Sequence, residues 1–200
     1  MSSDNEQLTQ LMNHLALEKL DENLYRTSSN NEGWFRVYGG QVLAQALLSA
    51  THTVPEDRHV HSLHAYFLRP GDLKHPVIYQ VDRIRDGRSF TTRRIVAIQH
   101  GKAILNMSAS FQVREEGLSH QVDMPDVPPP EECADRKQMA EQFRGKISDE
   151  LLDRFSRQFA VDLRHVDINS LFDNTPKAPQ TSVWFRINTD LPEDYPYHEH

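Results

Sequence analysis

Gly39-Gly40-Gln41-Val42-Leu43-Ala44-Gln45-Ala46-Leu47-Leu48-Ser49-Ala50 reads as a helix that is apolar almost all the way round, and segments with strand-like alternation follow it directly. Only Gln41, Gln45 and Ser49 break the apolar surface. Their spacing of four puts them on one narrow stripe, so the rest of the circumference must meet protein rather than water. A helix with a single buried side would not read this way; this one is expected inside a sheet. It opens on a glycine pair, which lets another backbone or a ligand approach closely and leaves N–H groups at the positive end of the helix dipole. A carbonyl or phosphate oxygen suits such an end.

Working outward, Ser3-x-x-Glu6 reads as a capping box for an amphipathic helix carrying Leu8, Leu11, Met12 and Leu15 and continuing to Leu17 and Leu20. Asn23 to Thr27 suits a short strand, Ser28 to Trp34 a polar loop, and the quoted helix runs to about Thr53. After Pro55-Glu56-Asp57, the segment Val60 to Leu68 alternates as a strand and stops at Arg69-Pro70-Gly71-Asp72. Three more strands follow, Val77 to Ile84, Phe90 to Ile98 and Ala103 to Val113, with Asp86-Gly87 and His100-Gly101 as hairpin turns. In the last of them Ala103, Leu105, Met107, Ala109, Phe111 and Val113 share one face, while Asn106, Ser108, Ser110 and Gln112 share the other. The order implies an α+β unit, a curved antiparallel sheet wrapped around one helix, which is the hot-dog arrangement.

The chain divides by composition into an N-terminal hot-dog domain over 1–114, a Pro-rich acidic linker over 115–135, and a helical connector with the start of a second unit over 136–200. In that last part, Met139, Phe143 and Ile147, then Leu151, Phe155 and Phe159, suggest two short helices interrupted near Gly145. Val161 to Val166 and Ser182 to Ile187 read as strands. By the logic of the first half the end at His200 looks premature, because the second unit never receives its own buried helix.

Composition narrows the partners. With 200 residues and 38% hydrophobic content a sizeable core is available. Twenty-two Lys and Arg against 29 Asp and Glu leave a net charge of −7, so no overall positive field draws nucleic acid or an anionic membrane. Met1 to Glu6 has neither a basic start nor an apolar run, and no segment approaches a bilayer span, so neither export nor a membrane partner is expected. The lone Cys133 excludes an internal disulfide and sits among acidic residues and prolines, where a reactive thiolate is not favoured.

Eleven histidines invite a metal, most sharply at His59, His61 and His64. Strand alternation turns His59 and His61 one way and His64 the other, with no cysteine or carboxylate at ligand spacing, so no metal is expected. His198-Glu199-His200 lies at a chain end, a poor place for a rigid site. Nucleophile-elbow, phosphate-loop and dinucleotide motifs are all missing. There remain the Gly39-Gly40-Gln41 helix start, with His61 early in the following strand, and the arginines 83, 85, 88, 93 and 94 around Asp86-Gly87. The helix start could polarise an acyl carbonyl, with Gln41 or His61 positioning substrate or water, and Arg88 and its neighbours could meet a phosphate. Close helix–sheet packing, a hydrogen-bonded core histidine and a solvated strand face explain the same residues.

Val37 to Ala46, Val60 to Asp72, Arg85-Asp86-Gly87-Arg88-Ser89-Phe90 and Met107 with Ala109-Ser110-Phe111-Gln112 together resemble the successive signatures of the TesB-type (thioesterase II) acyl-CoA thioesterases. The similarity continues through Met124-Pro125 to Val183-Trp184-Phe185-Arg186. It implies a double hot-dog hydrolase that cleaves fatty acyl-CoA to free acid and CoA without a cofactor, in the cytoplasm, as a homo-oligomer built through sheet edges. It also implies His61, the histidine of the Val-His-Ser motif, as a catalytic residue, and Gly39, Gly40, Gln41, Tyr66, Phe67 and Arg88 as the substrate-binding set. The family's Asp, Thr or Ser, and Gln, which activate and orient the attacking water, belong to the second hot dog and have no matching positions here. Asp190 and Asp194 belong to the approach to that part, so this chain alone is expected to hydrolyse negligibly. A non-catalytic module that binds acyl-CoA or acyl-carrier ligands, or an assembly subunit, is the main alternative. Dehydratase chemistry ranks third, because His61 has Val60 and Ser62 rather than a carboxylate beside it.

Overall fold

The quoted helix forms over Gly39–Thr51 (α2), and its polar stripe faces inward rather than outward. Gln45 and Ser49 are fully buried, whereas Leu43, Ala44 and Leu47 are only half-buried. This reverses the expectation that the polar stripe is the uncovered one. Burial costs little here because every polar group is answered: Gln45 Nε2 donates to the His14 carbonyl, Gln45 Oε1 accepts from the Tyr79 hydroxyl at 2.7 Å, and Ser49 Oγ donates to the Ala46 carbonyl at 2.7 Å.

The computed structural model describes residues 2–27, 37–156, 161–169 and 175–187, with no side chains described for 2–5, 7, 8, 151 and 154–156. The Ser3 cap, the 28–34 loop, the apolar side chains of Leu151, Phe155 and Phe159, Asp190, Asp194 and the terminal histidines therefore lie outside the described residues. Contacts divide the chain into two compact units, one built on Thr9–Leu118 and the other on Ser119–Glu193.

In the first unit, helix α1 (Ser2–Leu15) gives way to β1 (Leu17–Asp21), so Leu17 and Leu20 do not extend the helix. Leucines three apart fit the helical period, but pairing overrides it: β1 runs antiparallel to β2 (Leu24–Thr27), with Glu18 opposite Arg26. Four longer strands follow, β3 (His59–Phe67), β4 (Ile78–Asp86), β5 (Phe90–Gln99) and β6 (Lys102–Gln112). All pair antiparallel in the order β1-β2-β4-β5-β6-β3, and α2 touches every one of them. A single helix that reaches all six strands of one sheet requires the sheet to curl around it. Ala46 and Ala50, both at 0% exposure, let the helix settle against Tyr79, Ile95 and Leu105. This is the α+β hot-dog fold.

The β6 alternation appears as read, with Leu105, Met107, Ala109 and Phe111 buried and Asn106 and Ser108 exposed. His100 (φ 49°) and Gly101 (φ 68°) form the β5–β6 turn with both central residues at positive φ, the hairpin geometry that matches strand twist. Among the described residues β3 is an edge strand whose only partner is β6, and its register slips between Val60 and Ser62, leaving His61 as the extra residue of a bulge. At the far end of the helix, Arg93 is 1% exposed. Its guanidinium donates to Thr53 Oγ1 and O, to Asp86 Oδ1, and to the carbonyls of Arg85 and Thr92. One of the five arginines read as a strand-face cluster is thus an internal brace.

In the second unit, Asp135 caps α3 (Arg136–Gln142) in a reciprocal capping box with Gln138, and Gly145 (φ 77°) separates α3 from α4 (Asp149–Ser156). β7 (Val161–His165) pairs antiparallel with β8 (Val183–Ile187). Arg164 Nη1 donates to the Pro130 carbonyl and Trp184 Nε1 to the Pro128 carbonyl, each at 2.9 Å, so the Pro-rich segment is tied to this hairpin. Cys133 is buried. Among the described residues no helix is long and apolar enough to cross a membrane.

Candidate functional site

A pocket of about 370 Å³ opens at the amino end of α2. Its wall comes from the helix start (Gly39, Val42), from the chain leaving β3 (Phe67, Leu68, Arg69, Pro70, Gly71), and from Val37 and Ile104. The sequence builds it in three steps. Tyr38 precedes the helix with extended backbone and gives no side-chain cap; its carbonyl accepts from the N–H groups of Gln41 and Val42 at 3.1 and 3.2 Å. The N–H groups that remain in the first turn, those of Gly39 and Gly40, have no acceptor within the helix, and the dipole there favours a partial negative charge. Gly39 carries no side chain where a Cβ would stand 3.1 Å from the Phe67 ring, so the ring lies directly over the helix start. Gly71 is equally constrained, since a Cβ there would stand 2.9 Å from Val37 Cγ2.

Arg69 supplies the charge at this pocket. Its Nη1 donates to the Ala103 carbonyl at 2.7 Å, which fixes the guanidinium at the junction of β3 and β6. An apolar wall, an uncapped helix start and one anchored guanidinium can hold an acyl chain, a polarised carbonyl and an anion, respectively.

The expected site residues separate into three places. Gly39 and Phe67 meet at the pocket, with Gly40 next along the helix, while Gln41 turns its Nε2 toward the His14 carbonyl at 3.4 Å. Tyr66 pairs with Asn106 and packs edge-on against His64, on the sheet face away from the helix. His61 is on that outer face too, its Nε2 2.8 Å from Ser110 Oγ and its ring against Phe90. His61 precedes Phe67 by six strand positions, roughly 20 Å at the usual rise. Arg88 is at the β4–β5 turn, where its carbonyl accepts from Arg58 Nη2 at 2.8 Å, at the end of the sheet that Arg93 braces.

The bulge also alters the histidine geometry. Ser62 pairs with Ser110 and His64 with Ser108, so His61 and His64 share a face instead of opposing one another. Among the described residues they do not converge as metal ligands, whereas Asp72, His75 and His100 do. The Lys74 backbone N–H, followed by the His75 and His100 imidazoles, holds the Asp72 carboxyl down at about 2. Sequence reasoning missed this group and also Val37, Leu68, Arg69, Gly71 and Ile104 of the pocket. In the sequence Arg69-Pro70-Gly71 reads as the end of a strand and as part of a family signature, not as a pocket wall.

Comparison with known proteins places this geometry. Residues 27–112 match the family model of the acyl-CoA thioesterase N-terminal domain. Acyl-CoA thioesterase 2 of Haemophilus influenzae is 40% identical over 187 residues, which cover 94% of this chain and 65% of that protein. Acyl-coenzyme A thioesterase 8 of Mus musculus is 50% identical over 134 residues, covering 64% of this chain and 41% of that protein. A crystal structure of an acyl-CoA thioesterase II TesB2 from Mycobacterium marinum superimposes with a TM-score of 0.71 at 41% identity, covering 94% of this chain and 64% of that one. The chain thus spans about two thirds of the length of the first relative and less than half of the second. Residues 27–112, the segment that carries α2 and its pocket, match the family of acyl-CoA thioesterase N-terminal domains.

Proposed function

We propose that this chain provides the acyl-CoA-binding unit of an enzyme that hydrolyses fatty acyl-CoA to free fatty acid and CoA. The observation that carries the reading is the uncapped start of α2 opening into a largely apolar pocket in a chain 40% identical to an acyl-CoA thioesterase. The thioester carbonyl sits at the helix amino end, where first-turn N–H groups stabilise the charge that grows on its oxygen as water attacks. Phe67, Leu68 and Val42 receive the first carbons of the acyl chain, and Arg69 meets a phosphate of CoA. Gly39 and Gly40 let the Phe67 and Tyr38 rings close against the helix start and shape the approach to it. His61, Tyr66 and Arg88 stay outside this arrangement because they stand on the other face or at the other end of the sheet. Domain boundaries near 114 and 135, a cytoplasmic setting and association through the β3 edge belong to the same reading; an edge unpaired among the described residues, with Leu63 exposed, is a ready surface for another sheet.

The test has two parts. Calorimetry with a non-hydrolysable thioether analogue of palmitoyl-CoA should show binding to this chain, weakened at least about tenfold by Arg69→Ala, as befits one lost charge-assisted contact. Thiol release from palmitoyl-CoA should be negligible for the chain alone and clear for the chain joined to the C-terminal third of its Haemophilus influenzae relative. A folded chimera that neither binds the analogue nor releases thiol overturns the proposal. Binding without any release makes the chain a non-catalytic acyl-CoA module.

A further inference from the structure

Asp72, His75 and His100 bring one carboxylate oxygen and two imidazole nitrogens within 4.8 Å of one another. Asp72 and His75 stand three residues apart in the segment between β3 and β4, and His100 is the first residue of the β5–β6 turn. His75 Nδ1 is 2.8 Å and His100 Nε2 3.1 Å from the same oxygen, Asp72 Oδ2, and the two rings meet edge-on at 4.4 Å. The other carboxylate oxygen is already engaged, since Asp72 Oδ1 accepts the Lys74 backbone N–H at 2.9 Å. One oxygen is therefore aimed at both imidazoles.

The surroundings hold this arrangement in place. Gln99, 5% exposed, donates its Nε2 to the carbonyls of Asp72 and His75 at 2.8 and 2.7 Å, while its Oε1 accepts the Asp72 N–H at 2.8 Å. A single buried amide thus fixes the backbone of two ligand residues to the position next to the third. His100 itself occupies a positive-φ turn position (φ 49°) that Asn or Gly usually fills. Donor atoms around a tetrahedral cation with bonds of about 2.0–2.2 Å stand roughly 3.3–3.6 Å apart, so the hydrogen-bonded spacings of 2.8 and 3.1 Å need to open only slightly to admit an ion. Two imidazoles and a carboxylate make a borderline donor set that suits zinc and its neighbours better than magnesium or calcium, and three protein ligands leave a position for water. All three side chains are partly exposed, so an ion has access from solvent.

We propose that Asp72, His75 and His100 bind a divalent transition-metal ion of the zinc class, which clips the β3–β4 segment to the β5–β6 hairpin. The clip begins one residue after Gly71, a wall of the pocket, so the ion fixes the position of that wall. This replaces the sequence expectation of no metal, which weighed the histidines at 59, 61 and 64 and those at the chain end. It is independent of the thioesterase reading.

Calorimetric titration with Zn²⁺ tests it, using the chain with His198→Ala and His200→Ala so that the terminal histidines do not contribute. One ion should bind per chain. His75→Ala and His100→Asn should each weaken binding at least about tenfold, the scale on which even outer-shell groups act, while His59→Ala should leave it unchanged. Asn tolerates positive φ, so His100→Asn keeps the turn. Zn²⁺ should raise the melting temperature of the reference protein and not that of His100→Asn. Failure to bind one ion, or binding that survives both His75→Ala and His100→Asn, overturns the proposal and leaves the cluster a hydrogen-bonded trio.

Discussion

Replacing Gln45 by Leu removes a side chain at 0% exposure and strands the hydroxyl of Tyr79, also at 0%. The Tyr79 O–H donates to Gln45 Oε1 at 2.7 Å, and burial holds the phenol far above its usual pKa, so it stays a donor at every working pH. An unanswered buried hydroxyl costs about 1–3 kcal/mol. The His14 carbonyl loses the Gln45 amide but keeps a longer contact to Gln41 Nε2 at 3.4 Å, so its share is small. Leu restores most of the volume, which leaves a destabilisation of about 2 kcal/mol for Gln45→Leu. Tyr79→Phe instead strands Gln45 Oε1 and costs about 1–2 kcal/mol. In the double variant neither orphan exists. The two single losses should therefore exceed the double loss by about 1–2 kcal/mol. Urea unfolding of the four proteins, compared at a common slope, reads this coupling directly. Single losses that add to within about 0.3–0.5 kcal/mol would refute the account of why the polar stripe of α2 can face inward.

Arg93→Met should destabilise by about 3 kcal/mol in the same assay, because the Thr53 and Arg85 carbonyls lose their buried donors. The figure is at the low end for a broken buried pair because Asp86 is 57% exposed and water can hydrate it; a loss under about 1 kcal/mol would remove Arg93 as the brace of this end. Burial, and then the Lys19 ammonium, lower the His52 pKa from 6.5. The unfolded chain therefore takes up this proton first as pH falls, and stability should decline from about pH 6.5 downward and be flat in this respect above it. His165, lowered by burial and by Arg136, acts with the same sign in the second unit. His52→Gln should shrink the slope of unfolding free energy between pH 7 and 5, and an unchanged slope would exclude His52 from the effect.

Elements defined by local period were legible in the sequence. α2 and β3 to β6 announce themselves by apolar spacing, and Asp86-Gly87 and His100-Gly101 by turn chemistry. What could not be read depends on residues far apart in the chain. The inward turn of Gln45 requires Tyr79 and His14, 34 and 31 positions away. The common face of His61 and His64 requires a bulge that only the register with β6 creates. Asp72 and His100 are 28 residues apart, and nothing in either segment alone marks a ligand group. The inward turn of Arg93 is hidden in a run of five arginines that reads as a solvated face or a phosphate contact, because a charge run carries no sign of which member points inward.

The two ends of α2 divide the labour of the fold. At thirteen residues the helix is roughly 20 Å long. Its carboxyl end is locked: Thr53 accepts from Arg93 through both its hydroxyl and its carbonyl, and the hydroxyl donates to the Ala50 carbonyl. Its amino end lacks the Ser, Thr, Asp or Asn cap that would ordinarily stabilise a helix by about 1 kcal/mol. Capping would occupy the same N–H groups that face the pocket. A fold selected for stability alone has every reason to cap this end. The asymmetry is coherent if the amino end must stay open to an oxygen that arrives from outside, while the braced end keeps the helix from shifting when it does.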